Sequence, residues 1–217
     1  MKKLALHYIA REPKKITENT SLLILLHGYG SNEEDLFSFA SELPEDLIII
    51  SARGPQTLGF GSYSWYTIHF NSPQGKFSDM PEAIKAREII GVFIDEVQQK
   101  YGVSPQKTFL LGFSQGTILS YAVALNYPEK VQKIIALSGY INPDLLPDDL
   151  NSKDYSKSDF YISHGSVDQV IPVEWANKAP DFLKQLSINF CYSEFPVGHG
   201  VSPKNFYEFS KWIETRM

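Results

Sequence analysis

The stretch TFLLGFSQGTILSYA, residues 108–122, decides how this chain is read. It sets Ser114 between Gly112 and Gly116, after an apolar run and before an amphipathic one. That pattern predicts a strand over 107–113 and a helix over 115–126, with a sharp turn at the serine between them. Such a turn strains the serine backbone and pushes Oγ outward. Strand and helix crowd each other two residues to either side, where a residue without Cβ fits most easily. The glycines therefore read as clearance for a forced turn, and strain of that kind is usually kept at functional sites.

A serine hydroxyl is a poor nucleophile near neutral pH and needs a general base, which a third group must orient. The rest of the chain offers both. In DFYISHGSVDQVIP a strand ends at His164–Gly165 and enters a loop carrying Asp168. In NFCYSEFPVGHGVSP the last strand enters a loop where His199 lies between Gly198 and Gly200, which suggests a conformationally demanding loop. The order Ser114, Asp168, His199 is that of α/β-hydrolase triads. Each residue falls just past the carboxyl end of an expected strand, where doubly wound sheets form their crevice. Ser114 is the candidate nucleophile, His199 the candidate base and Asp168 the candidate orienting acid.

Attack on an ester places negative charge on the carbonyl oxygen, which fixed N–H donors can stabilise. One expected donor is the backbone N–H of Gln115, at the start of the helix after the nucleophile. The other is the N–H of Tyr29, in the loop of LLILLHGYGSNEEDL, where Gly28 and Gly30 frame it. A phosphate cradle is the competing reading of that loop, but it lacks G-x-G-x-x-G and a following Lys-Ser/Thr. His27 reads as shaping the loop, and His164 as a structural residue near its strand end. Glu194 is a weaker candidate acid because it falls inside a strand.

Short apolar runs alternate with longer periodic ones along the whole chain. Strands are expected over 21–28, 45–54, 107–114, 131–139, 159–165 and 188–196, with an edge strand over 4–10. Several are nearly continuous Leu/Ile, as in parallel strands covered on both faces. Helices are expected over 32–43, 80–102, 114–127, 172–186 and 202–217, with Pro180 kinking or splitting the fourth. The fold class is α/β: one domain over residues 1–217, with a mostly parallel sheet between helices and no large lid domain. The acidic stretch 142–159 reads as a solvated surface loop.

The chain has 217 residues, 43% of them hydrophobic, enough for a sizeable core. A net charge of −5 with no basic block argues against nucleic acid and anionic membrane surfaces. No segment approaches the roughly 20 apolar residues that span a bilayer. The start MKKLALHYIAR is too short and too interrupted for an export signal, so a cytoplasmic protein is expected. The one cysteine, Cys191, reads as a reduced and packed side chain. In sequence, His7 and His69 stand in no metal-ligand spacing, and neither metal nor cofactor is implied. A homodimer is left open.

Taken as a set, LHGYGSNEEDL, GFSQG, SHGSVDQVIP and GHGVSP resemble the phospholipase/carboxylesterase family, which includes the acyl-protein thioesterases. ARGPQTLGFGSYSWY, residues 52–66, is similar to a family loop ending in an aromatic pair, here Trp65–Tyr66. The resemblance implies a compact α/β hydrolase in which Ser114, His199 and Asp168 carry out acyl transfer with Tyr29 and Gln115 as oxyanion donors. Two positions depart from the thioesterase pattern: Thr117 stands where a further glycine is common, and Tyr29 where leucine is common. Leu58, Phe60, Tyr63, Trp65 and Phe70 offer an apolar wall for substrate, with Trp65, Phe70 and Leu58 as candidate binding residues. Hydrolysis of short- to medium-chain carboxylic esters is expected. Thioesters and lysophospholipids are alternative substrates, and a non-catalytic ligand-binding module or a lyase or perhydrolase are alternative functions.

Overall fold

The computed structural model describes residues 3–70 and 77–217; Met1 and Lys2, in the basic start of the chain, lie outside that range. In chain order the elements are β1 (Tyr8–Arg11), β2 (Leu22–Leu26), α1 (Glu33–Phe37), β3 (Ile48–Ala52), β4 (Gln56–Gly59), β5 (Ser62–Ser64), β6 (Ile68–His69), β7 (Phe77–Ser78), α2 (Met80–Tyr101), β8 (Thr108–Phe113), α3 (Gln115–Asn126), β9 (Lys133–Leu137), β10 (Asp159–Gly165), α4 (Val173–Ala176), α5 (Ala179–Gln185), β11 (Asn189–Phe195) and α6 (Pro203–Glu214).

Seven strands form the main sheet in the order β1-β3-β2-β8-β9-β10-β11. Only β1 is antiparallel; it pairs with β3 at one edge, and every other neighbouring pair is parallel. Side chains alternate between faces along a strand, so the Leu/Ile run of β2 feeds two cores at once. Leu22, Ile24 and Leu26 pack with α2 and α3 on one face, while Leu23 and Leu25 pack with α1 and α6 on the other. All five are fully buried, each favouring the folded state by roughly 1.5–3 kcal/mol of transferred apolar surface.

Helix boundaries follow local chemistry. Asp79 accepts a hydrogen bond from the Glu82 N–H at 3.1 Å and starts α2, and Gly102 ends it in the left-handed region at φ 66°. Pro180 divides the expected fourth helix, so that α4 ends before it and α5 carries it in its first turn. The first helix is shorter than expected because a 3₁₀ turn, Ser38–Ser41, continues from α1.

Three expectations change. The edge strand expected at 4–10 forms at Tyr8–Arg11. The β4–β5 hairpin and the two-residue β6–β7 pair, absent from the sequence reading, lie between β3 and α2. Cys191, expected to be packed, is exposed: it lies on β11, the last strand of the sheet among the described residues, where the covering of the sheet faces runs out.

Candidate active site

The parallel sheet brings the ends of β2, β8, β10 and β11 to one rim. Ser114 follows β8 directly and adopts φ 54° and ψ −115°, a conformation that costs a non-glycine residue on the order of 1–3 kcal/mol. Its N–H donates to the Leu137 carbonyl at 3.0 Å. The Thr117 hydroxyl spans the carbonyls of Gly112 and Leu137, 2.6 Å from each, and ties the turn to β8 and β9. The flanking glycines are sterically required. A Cβ on Gly112 would lie 2.4 Å from the Gly116 carbonyl oxygen, and one on Gly116 would lie 2.1 Å from that of Leu26. At Gly116 the crowding comes from β2 as well, so the clearance serves three elements.

His199 sits in the loop after β11, its ring centroid 5.0 Å from that of Phe113. Its Nε2 is 2.9 Å from Ser114 Oγ, and its Nδ1 is 2.6 Å from Asp168 Oδ2. Because an ionised carboxylate only accepts, Nδ1 carries the proton and Nε2 is free to accept from the serine. Asp168 is buried, and its other oxygen accepts N–H bonds from Val170 at 2.8 Å and Ile171 at 3.0 Å. Burial pushes this carboxyl's pKa up, but the hydrogen bonds from His199 and the two backbone amides outweigh it and hold the pKa below its ordinary 3.8. The glycines beside His199 do not mark conformational strain: neither has a left-handed φ, and a Cβ on either would meet open space.

The loop after β2 lies beside the serine, since a Cβ on Gly28 would come within 3.4 Å of Ser114 Cβ. The N–H groups of Tyr29 and Gln115 are taken up by none of the chain's own hydrogen bonds among the described residues. A side-chain lattice fixes the two segments relative to each other. Trp65 donates its indole N–H to the His27 carbonyl at 2.8 Å and its backbone N–H to Gln115 Oε1 at 2.9 Å. Gln115 in turn donates to the Tyr66 carbonyl at 2.9 Å.

A cleft of about 890 Å³ opens over Ser114 and His199, bordered by Tyr29, Phe70, Ile118, Tyr140 and Trp175 among others. Two of the three expected binding residues are placed elsewhere. Trp65 is 1% exposed and lies beneath the loop that carries Tyr29, where its N–H groups find acceptors. Leu58 is on the β4–β5 hairpin, exposed and not facing the cleft, as is Phe60, and the half-buried Tyr63 of the same hairpin does not border it either. Phe70 does border it, with its ring centroid 5.7 Å from that of Tyr29. Asn142 and Asp144 also reach the cleft, so the acidic 142–159 stretch contributes a rim as well as solvated surface. Tyr140 and Trp175 were missed because their segments carry no local signal; only the converging strand ends bring them together.

The model for the family described as Phospholipase/Carboxylesterase matches residues 10–217. The chain belongs to that family. Among relatives of this phospholipase/carboxylesterase-family chain, a probable carboxylesterase of Oryza sativa subsp. japonica is 27% identical over 210 residues, covering 92% of this chain and 79% of the relative. Acyl-protein thioesterase 1 of Emericella nidulans is 23% identical over 224 residues, covering 92% and 91%. The crystal structure of esterase PE8 superposes with a TM-score of 0.83 at 25% identity, covering 99% of this chain and all of that one. The family assignment agrees with a mostly parallel seven-stranded sheet flanked by helices.

Proposed function

We propose that this chain is a serine carboxylic ester hydrolase that works through an acyl-enzyme on Ser114. The observation that carries the reading is the continuous relay from Ser114 Oγ through His199 to Asp168, opening on the cleft. As Oγ attacks the substrate carbonyl carbon, its proton passes to His199 Nε2. Asp168 holds the ring and offsets the charge of the imidazolium. The new oxyanion accepts from the N–H groups of Tyr29 and Gln115, at the positive end of α3. His199 then protonates the leaving alcohol, the C–O bond to it breaks, and a water repeats the sequence to release the acid.

The cleft's largely aromatic and aliphatic border supports short- to medium-chain acyl groups as substrates. The name of the Emericella relative favours thioesters as a second class, and the same chemistry serves both because only the leaving atom changes. Among the described residues no helix is long and apolar enough to cross a membrane. A cytoplasmic site of action accords with that and with the single cysteine. All the proposed groups come from one chain, so a second subunit is not required.

The test is a series of p-nitrophenyl esters of increasing acyl length beside matched thioesters, run with wild type and Ser114→Ala. Turnover by wild type, loss in the variant and an optimum at short to medium chains support the reading. A wild type that binds these esters without turning them over identifies a ligand-binding module instead.

A further inference from the structure

The His27 side chain lies 0% exposed beneath the loop after β2, and the steps proposed above do not use it. Its Nδ1 is 2.7 Å from the Gly28 carbonyl oxygen, and its Nε2 is 2.9 Å from the Gly54 amide nitrogen. These partners fix the proton. A carbonyl can only accept and an amide N–H can only donate, so Nδ1 bears hydrogen and Nε2 is a bare acceptor. A second proton, on Nε2, would face the Gly54 N–H. Burial, the largest influence, lowers the imidazole pKa and favours the same neutral form.

The Gly28 carbonyl belongs to the peptide unit whose nitrogen is that of Tyr29. We propose that His27 is a positioning residue for ester hydrolysis: by donating from Nδ1 to the Gly28 oxygen, it aims and polarises the Tyr29 N–H toward the oxyanion. This rests on the reading of Ser114 and Tyr29 given above. A peptide's two ends point opposite ways, so gripping the oxygen dictates where the hydrogen points. Rotating this unit would present a carbonyl, not an N–H, to the developing negative charge. Among the described residues, Gly28 O has one other donor, the Ser31 N–H at 3.3 Å. Hydrogen bonding at the oxygen also strengthens donation at the nitrogen, by about 10–30% per bond. Trp65 completes the brace: its indole holds the His27 carbonyl while its backbone holds the Gln115 side chain. Both proposed donors are therefore set by one framework.

The experiment compares His27→Asn with His27→Gln, because an Asn amide nitrogen can occupy the place of Nδ1 whereas Gln reaches toward the place of Nε2. With a p-nitrophenyl ester, His27→Gln is expected to lose roughly 10²-fold in kcat with KM within about twofold, the size of one lost oxyanion donor. His27→Asn is expected to recover at least about a tenth of wild-type kcat. A boronic acid, which mimics the tetrahedral state, should bind His27→Gln more weakly by a similar factor. Equal kcat in the two variants, or a loss confined to KM, overturns the proposal. If neither variant folds, nitrogen-15 spectra of labelled histidine in wild type decide: His27 must be neutral and protonated at Nδ1, and protonation at Nε2 alone overturns it. Wild type that fails to hydrolyse the ester at all defeats the underlying esterase reading instead, so the two failures are distinct.

Discussion

The Nε2 atom of His164 lies 3.3 Å from Asp168 Oδ2, the same oxygen that His199 Nδ1 approaches at 2.6 Å. His164 is buried at the end of β10 and donates to the Ile171 carbonyl at 2.9 Å, closing the turn that carries the acid. One carboxylate is thus bracketed by a histidine that contacts the serine and a second that holds the loop.

Removing that brace should loosen the acid. His164→Leu leaves the buried Ile171 carbonyl without its donor, which costs about 1–3 kcal/mol in urea unfolding, and kcat should fall with it. Stability and kcat both equal to wild type would show that the two backbone bonds to Asp168 Oδ1 hold the turn alone.

Asp168→Asn should fold but turn over about 10⁴-fold more slowly, as when the orienting acid of a serine protease is made an amide, because the histidine then adopts the wrong tautomer. Single-turnover kinetics with unchanged thermal melting check this. Near-wild-type rates would remove Asp168 from the relay.

Steric demand around the serine turn should be one-sided. Gly116→Ala places a methyl group 2.1 Å from the Leu26 carbonyl oxygen, and is expected to destabilise by about 3 kcal/mol or more. Gly200→Ala meets open space and should stay within about 0.5 kcal/mol of wild type. Denaturant unfolding of the pair measures the contrast.

Acid should weaken the fold partly through Glu33. Hydrogen bonds from Arg53, the largest influence, hold this buried carboxyl below its ordinary 4.5 against the opposing effect of burial. A depressed folded pKa stabilises above the unfolded value and loses that contribution as pH falls through the folded one. The stability advantage of wild type over Glu33→Gln should therefore be flat from about pH 7 to 5.5 and shrink below 4.5. An advantage that grows in acid would contradict the assignment.

Much of this architecture is written locally in the chain. The Leu/Ile runs of β2 and β3 announce strands buried on both faces, and Gly112 and Gly116 announce a tight turn at Ser114. The order of the acid and the histidine along the chain follows the strand order that brings them to one rim. Other features depend on which elements become neighbours. Cys191 reads as packed from its apolar strand-like run, whereas among the described residues β11 is the last strand of the sheet and Cys191 is exposed. Trp65 reads as a pocket wall by its apolarity, whereas its two N–H groups make it the link between His27 and Gln115. Leu58 sits on a hairpin whose turn, Gly59–Phe60–Gly61, takes positive φ at all three residues and turns the segment outward. Composition does not encode that geometry.

The most direct test is the mass of the enzyme trapped during turnover of a slowly hydrolysed p-nitrophenyl ester. A burst of one p-nitrophenolate per chain, with the acyl mass mapped to Ser114 and both lost in Ser114→Ala, is the predicted result. An acyl group on any other residue, or full turnover by Ser114→Ala, would contradict it.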